Sequence, residues 1–107
     1  MRILFDQGTP APLRNALAGH TVETAFERGW GSLLNGDLLD VAQQVGFEVL
    51  ITTDQNLRSQ QNLGDRKIAI IVLMTTSWPR IERQQHNVVA AIEGLRAGDY
   101  LELSFSR

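Results

Sequence analysis

The residues of this chain whose types and positions could do chemistry are three aspartates. Asp6 follows the apolar run Arg2 to Phe5, and Asp54 follows the β-branched run Glu48 to Thr53. Asp37 stands at the head of a segment in which Leu38, Val41, Ala42 and Val45 recur at helical spacing. Carboxylates gathered in one place suit a hard divalent cation, because Mg²⁺ or Mn²⁺ takes oxygen ligands, keeps several waters and lets a substrate phosphate complete its shell. Such a cation orients and deprotonates water and offsets charge on phosphate oxygens, so these acids point to metal-assisted hydrolysis of a phosphodiester. Without it the clustered carboxylates would repel, and at least one would hold a proton more tightly.

The neighbours of Asp54 suit the same chemistry. Gln55, Asn56, Gln60, Gln61 and Asn62 can hydrogen-bond phosphate, ribose or base edges, with Asn56 nearest the metal as a neutral ligand or an orienter of a carboxylate. Thr52 and Thr53 offer hydroxyls that can hold a carboxylate in place, and Arg58 can reach a phosphate. Each residue also has an ordinary use. Asp6 can close a turn before Gly8-Thr9-Pro10, Asp54 can cap the segment 55–62, and Asp37 can cap its helix or complement the helix dipole. The amides and Arg58 can be a solvated helix face, and the threonines plain strand packing. Trp30 and Trp78 either plug the core or offer a face to a base, and plugging is the better fit. What favours chemistry is the three acids taken together at one edge.

The elements that must position them read as an alternation. Strands are expected over Arg2 to Phe5, His20 to Ala25, Glu48 to Thr53, Lys67 to Leu73 and Asp99 to Phe105. Helices are expected from Pro10 through Leu17, from Asn35 or Asp37 to Gly46, and as one final helix from about Ile81 to Arg96; residues 26–36 read as a loop. This order calls for an α/β domain of three layers, with a mostly parallel central sheet of about five strands between helices. In an open parallel sheet ligands bind outside the carboxyl ends of the strands, where strand order reverses, so Asp6 and Asp54 should emerge at one edge. A helix leading back into the sheet starts at that edge too, which brings in Asp37; Asp40, nearly opposite the apolar face, is expected to be solvated.

Size and composition set the bounds. The 107 residues make a single domain, 1–107, and the absence of cysteine excludes disulfides, thiolate nucleophiles and thiolate zinc sites. MRILFDQG turns polar at its sixth residue, which fits neither a signal peptide nor a membrane span, and the expectation is a cytoplasmic protein. A net charge of −2 argues against a global basic footprint, although Arg58, Arg66, Lys67, Arg80 and Arg83 leave room for a local one. A response-regulator receiver would need an acidic pair after the first strand and a lysine late in the sheet; this chain has Asp6-Gln7 and, as its single lysine, Lys67 at a strand start. Gly29-Trp30-Gly31 with Gly36 is neither a dinucleotide fingerprint nor a P-loop.

Taken together, ILFDQGTP, GWGSLLNGDLLDVA, GFEVLITTDQNLRSQQNL and IAIIVL resemble the PIN-like family of small bacterial and archaeal proteins, relatives of PIN-domain ribonucleases and of the toxins of toxin-antitoxin pairs. The resemblance covers residues 1 to about 75 and is most specific from Gly46 to Leu63. It implies a PIN-like fold, a Mg²⁺- or Mn²⁺-dependent ribonuclease or nuclease acting on RNA or DNA, and an antitoxin-like partner. It matches Asp6, Asp54 and Asp37 to the family's acids. PIN nucleases usually carry a fourth acid shortly after the position of Asp54, where this chain has Gln55 and Asn56. The alternative is therefore a PIN-like protein-binding module of little or no activity. Val88, Val89, Ile92 and Leu95 form an apolar stripe that serves either the core or a homodimer.

Overall fold

The central runs of the sequence have no polar face, so they can be stable only with cover on both sides. In the computed structural model, which describes residues 1–57 and 66–105, they have it. The strands are β1 (Arg2–Phe5), β2 (Thr21–Thr24), β3 (Val49–Thr52), β4 (Ala69–Leu73) and β5 (Tyr100–Leu103). They pair in the order β2-β1-β3-β4-β5, every neighbouring pair parallel, with Phe5 opposite Ile51 and Ile51 opposite Ile71.

Alternate residues go to opposite layers. Ile3, Phe5, Val49, Ile51, Ala69, Ile71 and Leu73 pack on one face against a 3₁₀ helix (Ala11–Leu17) and the helices α2 (Trp78–Arg83) and α3 (Gln85–Glu93). Leu4, Leu50, Ile70 and Val72 pack on the other face against Leu38, Leu39 and Ala42 of α1 (Asn35–Gln44). This is the expected α/β/α sandwich. Val88, Ile92 and Leu95 are buried in it, so the final apolar stripe serves the core.

Two elements differ from their sequence expectation. The segment after Pro10 is 3₁₀ rather than α-helical: Pro12 has no amide to give, and the first bond, from Leu13 N–H to the Pro10 carbonyl at 3.1 Å, closes three residues back. The final helix starts earlier, at Trp78, and is interrupted at Gln84, whose φ of −126° closes α2 and opens α3. No glycine or proline marks this break. The Gln84 carbonyl accepts from Asn87 N–H at 2.9 Å, which starts the second helix.

The chain leaves β1 for β2 on one side and returns through α1 to β3 on the other. Strand order thus reverses between β1 and β3, and the crevice a parallel sheet offers to ligands lies at their carboxyl ends.

Candidate functional site

Asp6 and Asp54 both stand at that reversal. Asp6 continues β1, its N–H donating to the Ile51 carbonyl at 3.2 Å. Asp54 lies two residues beyond β3, and its N–H donates to Thr52 Oγ1 at 3.0 Å. The Thr52 hydroxyl in turn donates to Asp6 Oδ2, across 46 residues of sequence. Thr52 is 1% exposed, so its one hydrogen and one of its lone pairs are both committed inside the protein. The two acids are joined through a single buried hydroxyl.

The remaining carboxylate contacts are local. Asp6 Oδ1 accepts from Thr9 Oγ1 at 2.8 Å and from Gly8 N–H at 3.2 Å. Asp54 Oδ1 accepts from Asn56 N–H at 2.9 Å, and its Oδ2 from the Asn35 amide. Both aspartates therefore close their own turns, and the Thr52 hydroxyl links the Asp6 carboxylate to the Asp54 backbone. Burial pushes the Asp6 carboxyl above the usual carboxylate value, and the hydrogen bonds from Thr52, Thr9 and Gly8 pull the other way.

Side chains approach two of these turns closely: a Cβ on Gly8 would press on Thr53 Oγ1, and one on Gly31 would meet the movable end of Gln7. Between the turns is a cleft of about 150 Å³ bordered by Asp6, Gly8, Trp30, Asn35 and Leu38. Trp30 plugs the core beside it, edge-on to Phe47 at 6.1 Å and covered by the Arg28 guanidinium at 4.8 Å. Trp78 is half-buried against the opposite layer. A hollow of about 290 Å³ at the amino ends of the strands, lined by Phe47, Val49, Ile68 and Leu95, borders none of the expected site residues.

Asp37 stands in the first turn of α1, at the expected edge, but the structure does not bring it into the acid network. Asn35, two residues earlier, faces Asp54 instead, and two residues turn a helix by about 200°. Asp37 is exposed and complements the dipole of a helix whose N-cap, Leu34, contributes no side-chain bond. Asp40 is exposed, as expected, and pairs with Arg66 at 2.6 Å. Gln55 and Asn56 are exposed beside Asp54. Arg58, Gln60, Gln61 and Asn62 lie outside the described residues.

Two partners of the acids escape a reading of the sequence. Thr9 looks like a helix cap, yet it is buried and its hydroxyl lies 2.8 Å from Asp6 Oδ1 and 2.7 Å from the Ile51 carbonyl. Asn35 looks like a helix start, and the signal for its role was a polar residue at a helix head on the same edge as two acids.

The oxygen-rich donor set suits a hard cation. Each carboxylate has about four acceptor positions. Asp6 has used three of them and Asp54 two, so both retain capacity for a ligand. Among the described residues, no group of three or more Asp, Glu, His or Cys side chains is placed to hold a metal ion, so a cation here would rest on two carboxylates, amide oxygens and water. No helix among the described residues is long and apolar enough to cross a membrane. Compared with known proteins, the chain matches no protein-family model, no curated protein and no solved structure.

Proposed function

We propose that this chain is a Mg²⁺- or Mn²⁺-dependent nuclease of PIN-like type that hydrolyses phosphodiesters of RNA at the β1–β3 edge. The observation that carries the reading is the meeting of Asp6 and Asp54 through the Thr52 hydroxyl, at the reversal of strand order. Asp6 and Asp54 would hold the cation. When bound, it supplies charge compensation for phosphate oxygens and lowers the pKa of water. The protein's own part is orientation: Thr52 and Thr9 fix the Asp6 carboxylate, and Asn35 and the Asn56 amide fix that of Asp54. Asn35 and Trp30 shape the cleft in which a phosphate would meet Asp6. An antitoxin-like partner rests on the family resemblance alone.

A second reading, a protein-binding module on the same fold, is favoured by one observation: the described residues supply no group of three or more acids, histidines or cysteines placed to hold a metal ion. Titrating Mn²⁺ into isotope-labelled protein separates the two. The nuclease reading expects paramagnetic broadening centred on residues 6, 35 and 54, and its loss in a folded Asp6→Asn, Asp54→Asn variant. Uniform spectra up to millimolar Mn²⁺ would leave the binding module.

A further inference from the structure

The sandwich is not closed at the amino ends of its strands. There Val49 and Leu95 of one core layer and Phe47 and Ile68 of the other, all buried, line the hollow of about 290 Å³, at the end of the sheet opposite Asp6 and Asp54. That volume is at the lower limit of ordinary small-molecule sites, about 300–1,000 Å³.

The rim is polar, and its charge is one-sided. Lys67 and Arg96 stand exposed on it, and neither is in an ion pair among the described residues. Glu48 also lines the hollow, and its Oε1 accepts from Arg2 N–H at 3.0 Å. Two cations thus meet one carboxylate, on a chain whose net charge is −2. Exposed cations are ordinary, so the rim alone carries nothing; the deciding group is Gln43. Its Oε1 accepts from Lys67 N–H at 2.9 Å and from Ile68 N–H at 3.2 Å, which caps the amides ahead of β4. With that oxygen held by two donors, the planar amide also fixes its NH₂ group, whose hydrogens have no acceptor among the described residues.

We propose that this hollow binds a small monocarboxylate with a branched aliphatic or aromatic body. The body covers Phe47, Val49, Ile68 and Leu95, and the carboxylate accepts from the Gln43 NH₂ group with Lys67 and Arg96 beside it. A fixed donor and two cations select an anion. Glu48 opposes a second negative charge, and the apolar floor gives a small hydrated ion nothing to cover. The volume admits a body the size of one side chain rather than a peptide segment. The site is separate from Asp6 and Asp54 and does not depend on the nuclease reading.

The test is titration of isotope-labelled protein with 3-methylbutanoate and with phenylacetate, followed by amide chemical shifts, with the primary amides of the same acids, acetate, inorganic phosphate and a tripeptide ending in leucine as controls. Saturable shifts centred on residues 43, 48, 67, 68 and 96 are expected for the two acids, and much weaker binding for every control. Gln43→Glu keeps the oxygen that caps the two amides and replaces the donor by a charge, so it should abolish binding at unchanged Tm. Lys67→Ala and Arg96→Ala should each weaken binding about 2- to 5-fold, as for exposed ion pairs. Ala97→Trp, a substitution on the exposed rim, should block the hollow and serves as the test in case Gln43→Glu does not fold. Absence of saturable shifts there, equal binding of acetate or of the amides, tighter binding of phosphate or the tripeptide, or undiminished binding by Ala97→Trp or by folded Gln43→Glu would overturn the proposal.

Discussion

Replacing Thr52 by valine keeps the shape of a buried side chain and removes only the hydroxyl that joins the two acids. Its hydrogen bond to a carboxylate is worth about 1.5–3 kcal/mol, and the one it accepts from Asp54 N–H about 0.5–1.5 kcal/mol. The added methyl returns about 0.8 kcal/mol of apolar burial. At neutral pH the net loss should be about 2 kcal/mol, a fall of roughly 10 °C in Tm for a domain of this size.

The loss should also depend on pH, with a definite sign. Burial raises the Asp6 carboxyl above its ordinary value of 3.8, so between that value and the folded one the native state carries more protons than the unfolded chain. Stability contributed by Asp6 is therefore full in acid and is lost as pH rises through the folded value. Removing the Thr52 hydroxyl takes away a bond that favours the charged form and raises the folded value further. The cost of Thr52→Val should thus be larger at neutral pH than in acid. Urea unfolding at both conditions measures it, and the side-chain carboxyl ¹³C signal of Asp6 follows its titration. An equal cost at both pH values, or an Asp6 titration that does not move upward, would refute the linkage through Thr52.

Three further outcomes follow from the same geometry. Asp6→Asn should flatten the decline of stability between acid and neutral pH in urea unfolding, while abolishing Mn²⁺ broadening. Gly8→Ala drives a Cβ to 2.3 Å from Thr53 Oγ1 and should cost about 1–3 kcal/mol in thermal unfolding; in a Thr53→Ala background, where the nearest remaining contact is Thr53 Cβ at 3.7 Å, most of that cost should vanish in a double-mutant cycle. Asn35→Ala should weaken Mn²⁺ affinity about 10- to 100-fold through loss of the amide that orients Asp54, whereas Asp37→Asn should leave it unchanged.

The sheet was legible because its central strands are apolar on both faces, which in a chain of alternating helices and strands has few other solutions. Asp6 and Asp54 were legible for the same reason, as strand-end acids on one edge. Asp37 stands at the expected helix head, but helical phase at a first turn depends on where the helix begins: starting at Asn35 aims Asn35 at Asp54 and leaves Asp37 exposed. A threonine before a proline-led helix ordinarily caps it; here the approach of β3 sets the Ile51 carbonyl beside Asp6 Oδ1 as a competing acceptor for the one Thr9 hydrogen. The break at Gln84 has no breaker residue to announce it.

The two outer strands carry a consequence beyond the site. Among the described residues, β2 and β5 have no further strand on their outward sides, a ready template for adding a strand from another chain. Each is only four residues long and has a glutamate, Glu23 or Glu102, as its third residue. On β2 that glutamate is clamped between Arg2 and Arg28, at 3.8 and 3.4 Å, so a charged cluster would have to be desolvated before the sheet could grow there. A glutamate in each short border strand interrupts the apolar ribbon an incoming strand would need, and crowded chains should therefore add to this sheet slowly, which shields the β-branched middle strands.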